Sequence, residues 1–280
     1  MRLTAGEMAR LAGGTLETGA PTVAFDGGVS IDSRTLRRGD LFFAISGPRH
    51  DGHDFLHEVV LKGAAGVVIQ KESEVPPPAF AIRVKDTTRA LQVLAGGFRR
   101  SRAVQVVAVT GSMGKTTTKE AAASAIGSTK RVLKSEGNLN NFYGLPLSLL
   151  KLEDEEVAVL EMGMSAPGEI ARLTEIAGPD VGVLTNVAEV HLEFFGTVSA
   201  IAEAKGELFR GLPAGATAVV NADDPLVLDQ SRRFSGRKVR FGIDEDADVR
   251  GSAIRATPDG LRFKAVFRGK PVEEVEVETV

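Results

Sequence analysis

A glycine-rich loop followed by a lysine and three threonines is the segment of the sequence best suited to chemistry. It lies in VVAVTGSMGKTTTKE, residues 106–120, between an apolar strand and the start of a helix. The glycines permit a tight turn whose backbone N–H groups point inward, so that the lysine can reach the outer phosphates of a nucleotide and the first threonine can bind Mg²⁺. Because Val109 stands where the common pattern has a glycine, this is a shortened P-loop. Its predicted nucleotide-binding residues are Gly111, Ser112, Met113, Gly114, Lys115, Thr116 and Thr117.

Other polar residues follow apolar strands or lie on a helix nearby. Glu161 ends the strand VAVLEM, where a nucleotide enzyme places its magnesium ligand. The next strand presents Asn186 and, after a short loop, His191, whose spacing alone favours a packed or exposed histidine over a metal ligand. Lys205 shares a helix face with Ala202 and Phe209, which can direct its ammonium group inward, although the pattern is typical of a snorkelling lysine.

The elements that must position these residues change character near residue 85. Before it, the strands VSIDSR, LFFAI, AGVVIQ and FAIRV and one helix predict a small mixed α/β domain, residues 1–84. After it, the strands VQVVAV, VAVLEM, DVGVLTN and ATAVVN alternate with helices. The alternation predicts an α/β domain, residues 85–280, with a largely parallel sheet covered by helices on both faces. Ligands of such sheets bind beyond the carboxyl ends of the strands.

Three further segments receive simpler interpretations. The chain's last residues, FKAVFRGKPVEEVEVETV, predict two strands joined by a turn at RGK. The basic runs FRRSR and SRRFSGRKVR are interpreted as solvated helix and loop faces. His50, His53 and His57 are too loosely arranged for a metal site, and surface positions are expected for them.

The composition excludes several classes of function. The chain has 280 residues, 43% of them hydrophobic, a formal charge of −3 and no cysteine. It therefore has no disulfides, thiolate ligands or cysteine nucleophile, and no general attraction to nucleic acid or to an acidic membrane. The N-terminal MRLTAGEMARLAGG lacks the apolar core of a signal peptide, and no apolar run approaches a membrane span. A cytoplasmic protein without membrane insertion is expected.

Taken together, these features resemble the Mur ligase family, ATP-dependent amide ligases of peptidoglycan precursor synthesis. The resemblance covers nearly the whole chain and rests on TGSMGKTTTKE, GNLNNFYGLPLSLL, EMGMSAPGEIARL, TNVAEVHLEFFGTVSAIAEAKGELF and VVNADDP, in that order. Within the family, GNLNN, EMGMSAPGEI and VHLEFFG look most like the member that adds D-alanyl-D-alanine to UDP-N-acetylmuramoyl-tripeptide. The resemblance thus implies these two substrates, and ATP and Mg²⁺ besides them.

The resemblance also implies a reaction through an acyl phosphate, with Lys115, His191 and Lys205 as catalytic residues. Thr116 and Glu161 would hold one Mg²⁺ and His191 a second. Lys205 matches the family lysine that reacts with CO₂, and the resulting carbamate would replace a cation with an anionic oxygen ligand for the metal.

The same resemblance assigns contacts with the substrates. Ser33 and Arg34, in IDSRTLRRGDLFFAISGPRHDGHDF, match the UDP-sugar-binding domain of the family, although DSR alone is typical of a polar turn. Asn138 and Asn141 would be polar contacts on the substrate or phosphate side. Asn221 lies where the family approaches adenine.

The sequence is compatible with more than one function and leaves the competence of this chain as an expectation. The family's third, C-terminal domain is not recognised in these residues, so weak binding and poor ligation are expected of the chain, with a monomer as its state. Another Mur-type or a folylpolyglutamate-type ligase is an alternative, as is a non-catalytic nucleotide-binding module. A P-loop switch GTPase is disfavoured because the sequence has no NKxD stretch. The third peptide residue of the substrate is left undetermined.

Overall fold

The computed structural model describes residues 3–190, 192–244, 246–258, 260–267 and 270–278, which form sheets of five and nine strands and a small sheet of two strands. Each sheet belongs to a compact unit. The first unit comprises Met1–Ala103 and Phe142–Asp154, and the second comprises Val104–Asn141 and Glu155–Val280. The division after Ala103 lies later than the boundary expected near residue 85, because the helix Thr87–Arg100 packs with the helices and sheet of the first unit.

Strands and helices alternate along much of the chain. In chain order, the strands are β1 (Leu3–Thr4), β2 (Thr15–Thr18), β3 (Ala24–Phe25), β4 (Val29–Ser30), β5 (Leu41–Phe43), β6 (Gly66–Ile69), β7 (Phe80–Arg83), β8 (Gln105–Thr110), β9 (Val132–Lys134), β10 (Val157–Glu161), β11 (Val181–Leu184), β12 (Thr217–Asn221), β13 (Arg237–Gly242), β14 (Val249–Thr257), β15 (Gly260–Phe267) and β16 (Lys270–Glu278). The α-helices are α1 (Ala5–Leu11), α2 (Leu56–Leu61), α3 (Thr87–Arg100), α4 (Lys115–Gly127), α5 (Gly144–Leu149), α6 (Glu169–Ala177), α7 (Leu192–Phe195), α8 (Val198–Gly211) and α9 (Pro225–Ser231). A 3₁₀ helix covers Gly52–Phe55.

The first unit is built on a sheet with the strand order β2-β7-β6-β5-β4. Strands β4 to β7 pair in parallel and β2 pairs antiparallel to β7. The central strands β5 and β6 are buried along their whole length, as expected of apolar runs with both faces covered. The predicted mixed α/β domain is therefore confirmed as a fold, although the strand predicted over VSIDSR ends at Ser30.

The second unit carries the larger sheet, with the order β9-β10-β8-β11-β12-β13-β14-β15-β16. Pairing is parallel from β9 to β14 and antiparallel from β14 to β16. The P-loop strand β8 lies between β10 and β11, so the carboxyl ends of these three strands share one edge. The largely parallel sheet and the two final strands were both predicted correctly.

Helices cover both faces of this sheet. On one face, Val109 of β8 and Val183 of β11 pack with Ala123 of α4. On the other face, a Cβ atom at the neighbouring Gly182 would lie 3.1 Å from Leu212 and 3.2 Å from Leu208, at the end of α8. Because successive strand residues face opposite sides, the two contacts establish a layer of helix on each face.

The structure corrects two of the simpler sequence interpretations. The second half of SRRFSGRKVR is not a loop face, because Arg237–Gly242 forms β13 and pairs with β12. This strand was not predicted from the sequence, because the exposed arginines at 237 and 240 make it less apolar than its neighbours.

None of the helices in the described ranges is long and apolar enough to cross a membrane.

His53 is the second correction, because it is buried rather than at the surface, while His50 and His57 are exposed as expected. Its Nε2 accepts a hydrogen bond from the backbone N–H of Gln70 at 3.1 Å, so Nδ1 carries the proton and donates to Asp51 at 2.6 Å. The hydrogen bond to Nε2 comes from a residue distant in sequence.

Candidate functional site

The glycine-rich loop joins β8 to α4 in a conformation that requires its two glycines. Gly114 is the N-cap of α4 and has φ +76°, in the left-handed region. At Gly111, a Cβ atom would lie 1.9 Å from the Oγ1 of Thr185. The loop therefore turns tightly at one end and touches the neighbouring strand's end at the other.

The segment that follows β11 holds this loop through several hydrogen bonds. The N–H of Met113 donates to Asn186 Oδ1 at 2.9 Å, and Asn186 Nδ2 donates to the carbonyl of Met113 at 3.2 Å. Thr185 Oγ1 donates to the same carbonyl at 2.7 Å, and the N–H of Ser112 donates to the carbonyl of Asn186 at 3.0 Å. The Asn186 side chain thus hydrogen-bonds to both the N–H and the carbonyl of Met113.

Two lysines converge on a single carbonyl oxygen at the start of the loop. Lys115 Nζ donates to the carbonyl of Gly111 at 3.0 Å, and Lys205 Nζ donates to the same oxygen at 2.9 Å. Lys205 is 2% exposed, so the interpretation as a snorkelling lysine is wrong and its ammonium group does point inward. Burial, and then the charge of Lys115, lower the pKa of Lys205 to about 7. A sizeable fraction of this amine is therefore neutral at neutral pH.

Glu161 brings a buried carboxylate to the same edge of the sheet. Its Oε2 accepts a hydrogen bond from Thr116 Oγ1 at 2.8 Å, and its Oε1 accepts one from Asn140 Nδ2 at 2.8 Å. A carboxylate and a hydroxyl side by side are hard oxygen ligands, which fit Mg²⁺. Within the described ranges, no group of three or more His, Asp or Glu side chains is placed to hold a metal ion.

Asn140 is a site residue that sequence reasoning missed. The predicted residues Asn138 and Asn141 lie in the same loop and are exposed. The signal that could have identified the loop is its position after β9, beside β10, at the carboxyl edge of the sheet. Which asparagine faces Glu161 depends on the path of the loop, and the sequence does not specify it.

Three other predicted residues belong to the sequence range of the second unit. Asn221 ends β12, and its Nδ2 donates to the carbonyl of Thr185 at 2.8 Å, so it lies beside the segment that holds the loop. Thr117 is exposed on the first turn of α4. His191 lies outside the described residues, and its predicted metal role stays a prediction.

Ser33 and Arg34 belong to the first unit, after β4. Ser33 is buried, and its carbonyl accepts a hydrogen bond from Lys62 Nζ at 2.9 Å. The Arg34 side chain is 84% exposed and forms two hydrogen bonds to the Asp32 carboxylate, at 2.9 and 2.6 Å. The guanidinium group lowers the pKa of Asp32 to about 2. Asp32 therefore orients an otherwise solvated guanidinium group.

The arrangement in the second unit can bind a polyphosphate together with a divalent cation. Backbone N–H groups at the start of α4, the helix dipole and Lys115 all favour an anion. The adjacent hydroxyl of Thr116 and carboxylate of Glu161 are oxygen groups of the kind that bind a divalent cation.

Comparison with known proteins finds the same architecture elsewhere. The family description "Mur ligase family, catalytic domain" matches residues 27–99, and "Mur ligase middle domain" matches residues 109–280. The UDP-N-acetylmuramoyl-tripeptide–D-alanyl-D-alanine ligase of Bacillus subtilis is 39% identical over 238 residues, which are 84% of this chain and 51% of that protein. The chain thus spans about half the length of this relative.

Solved structures give the same result. A crystal structure of MurF from Acinetobacter baumannii superposes with a TM-score of 0.88 at 30% identity, covering 97% of this chain and 60% of that one. MurF ligase from Thermotoga maritima, solved in complex with ADP, has a TM-score of 0.80 at 36% identity, covering 89% and 57%. The similarity therefore includes both units of the chain.

Proposed function

The chain belongs to the Mur ligase family, and we propose that it carries the ATP site and the UDP-sugar site of a ligase. This ligase joins D-alanyl-D-alanine to UDP-N-acetylmuramoyl-tripeptide in peptidoglycan precursor synthesis. The names of the similar proteins support the substrates. The observation that carries the proposal is the convergence of Lys115 and Lys205 on the Gly111 carbonyl, beside the paired Thr116 and Glu161.

The proposed reaction has two steps. The terminal carboxylate of the UDP-linked peptide attacks the γ-phosphorus of ATP, so that an acyl phosphate forms and ADP leaves. The amine of D-alanyl-D-alanine then attacks the acyl carbon, phosphate leaves and a proton is released. Such phosphoryl transfer depends mainly on positioning and on neutralising charge. Lys115 Nζ donates to the loop carbonyls of Gly111 and Ser112, at 3.0 and 3.3 Å, and would donate to phosphate oxygens when ATP is bound.

Thr116 and Glu161 would hold Mg²⁺, which when bound neutralises charge on the phosphates. His191 would hold a second ion, and Lys205, as a carbamate, would supply a further anionic oxygen ligand for Mg²⁺. A carbamate forms when a neutral amine attacks CO₂ and releases a proton, which an ammonium group cannot do because it has no lone pair. Burial of Lys205 favours this neutral amine.

For the substrate, Arg34 and Ser33 in the N-terminal domain would contact the UDP group. Arg34 suits this role because its guanidinium group is exposed and already oriented by Asp32. Asn138 and Asn141 would contact the peptide or phosphate side, and Asn221 the adenine.

The test is calorimetric titration of the chain with ATP and Mg²⁺, and separately with UDP-N-acetylmuramoyl-tripeptide. Both ligands should bind. Lys115→Ala should weaken only the binding of ATP, and Arg34→Ala should weaken only the binding of the UDP-linked peptide. Each variant therefore serves as the control for the other. Binding of neither ligand by the unaltered chain would refute the proposal.

A substrate panel separates the alternatives. Preference for another UDP-muramoyl peptide would indicate a different Mur-type ligase, and preference for a folate would indicate a folylpolyglutamate-type enzyme. Binding of ATP without any second ligand would indicate a non-catalytic nucleotide-binding module.

A further inference from the structure

The parallel ladder between β9 and β10 is interrupted where it reaches Glu161. The N–H of Ser135, the residue after β9, donates to the carbonyl of Val159 at 3.1 Å, which continues the ladder. In a regular parallel ladder the carbonyl of Ser135 would then accept from the N–H of Glu161. Instead, the Ser135 side chain takes that place, and its Oγ accepts from the N–H of Glu161 at 3.0 Å.

The carbonyl that is released from the ladder is bound by a buried lysine. Lys119 Nζ donates to the carbonyl of Ser135 at 2.8 Å, and the exposed fractions of these two residues are both 1%. The ammonium group is compensated by Glu120 Oε1 at 2.9 Å. Lys134 and, less strongly, Lys119 lower the pKa of that carboxyl group. The buried ammonium group therefore has both a carboxylate and a carbonyl partner, so the lysine does not add an unpaired charge to the core.

Because the Oγ of Ser135 replaces its carbonyl as the acceptor from Glu161, the chain can leave the sheet after Ser135 and return to the Glu161 carboxylate. The loop brings Asn140 back to Glu161, where its Nδ2 donates to Oε1. This short segment therefore binds Glu161 twice: Ser135 binds its backbone N–H, and Asn140 binds its carboxylate.

Lys119 also connects this segment to the phosphate-binding helix. It lies three residues after Thr116 and four after Lys115 on α4, so all three can share one helix face. Thr116 contacts the carboxylate of Glu161 directly, and Lys119 reaches its backbone through Ser135.

We propose that Ser135 and Lys119 are positioning residues for Glu161, fixing it against Thr116 so that the two can share one divalent cation. The inference rests on the proposed function, because the metal role of Glu161 belongs to that proposal. Ser135 binds the backbone of Glu161 and Lys119 binds Ser135, so the effect of each passes through the backbone of Glu161.

The first test measures geometry without any ligand, through hydrogen exchange of the Glu161 amide by NMR in the full chain. Ser135→Ala removes the acceptor of this amide. Lys119→Met removes the hydrogen bond to the Ser135 carbonyl that keeps Ser135 in place. Exchange of the Glu161 amide should therefore be faster in both variants. Ser148→Ala is the matched control, since Ser148 is a buried serine in the first unit whose Oγ donates to the Gly144 carbonyl of its own helix. Unchanged exchange in Ser135→Ala would overturn the proposal.

The second test is calorimetric titration of ADP with and without Mg²⁺. Ser135→Ala should leave ADP binding in EDTA unchanged and should weaken the Mg²⁺-dependent part roughly tenfold, the size of effect typical of residues that orient a metal ligand. Lys119→Met should act in the same direction, and Ser148→Ala should have no effect. If Lys119→Met does not fold, Ser135→Ala decides the outcome, because it removes a single oxygen atom.

Glu161→Gln separates the metal role from the positioning role. If it leaves the Mg²⁺ dependence unchanged, the proposed metal role of Glu161 fails, and the positioning role fails with it. If Glu161→Gln weakens the Mg²⁺ dependence and Ser135→Ala does not, the positioning role alone is overturned.

Discussion

Replacement of Lys205 by methionine should stabilise the fold at neutral and acidic pH. The pKa of Lys205 falls from an ordinary 10.5 to about 7 in the folded chain. A difference of one in pKa corresponds to about 1.4 kcal/mol. Below pH 7 the charged form of Lys205 therefore destabilises the folded chain by about 5 kcal/mol. Methionine removes this cost and also the hydrogen bond to the Gly111 carbonyl, which is worth about 1–3 kcal/mol. The net gain at pH 6 is therefore about 2–4 kcal/mol.

The gain should depend on pH in a defined direction. The unfolded chain keeps the Lys205 proton up to its ordinary pKa of 10.5, whereas the folded chain releases it near pH 7. Between these values the unfolded state binds more protons at Lys205, so the contribution of Lys205 to the stability of the unaltered chain rises with pH by up to about 1.4 kcal/mol per pH unit. The advantage of Lys205→Met should shrink across this window and disappear toward its upper end.

The assay is urea denaturation of both chains from pH 6 to pH 10, in buffers free of CO₂ so that the amine stays unmodified. Lys119→Met is the control, because its buried ammonium group has a carboxylate partner and a carbonyl to satisfy. That variant should lose about 1–3 kcal/mol of stability. A Lys205→Met chain that is less stable than the unaltered one at pH 6, or a difference independent of pH, would show that burial of the charged amine does not carry this cost.

Two further predictions concern the loop and the first unit. Gly111→Ala places a Cβ within 1.9 Å of Thr185 Oγ1, so ADP binding should be lost and the Tm lowered; unchanged calorimetric and thermal-unfolding curves would contradict this. Arg34→Ala should raise the pKa of Asp32 from about 2 toward its ordinary 3.8, as followed by ¹³C NMR of the carboxyl group, and a pKa that stays near 2 would show that another group lowers it.

Local signals in the sequence were enough to predict many of the elements. Apolar runs alternating with helices predicted a largely parallel sheet, and the spacing of two glycines and Lys115 placed a phosphate-type loop between strand and helix. Both signals depend on residues within a few positions of each other, where backbone sterics and hydrophobic periodicity act directly. The family motifs are local for the same reason, and they identified the family.

Which side chains meet is a property of the packed fold. Lys205 donates to a carbonyl that is distant in sequence, and the burial of its side chain in the packed fold is the main cause of its lowered pKa. The asparagine that faces Glu161 depends on how the chain leaves β9, which the side chain of Ser135 permits by replacing a backbone carbonyl. His53, in the 3₁₀ helix, is buried for a similar reason, since its partner Gln70 directly follows β6. Burial and long-range hydrogen bonding arise where elements pack together, and the order of residues along the chain specifies them only through the complete fold.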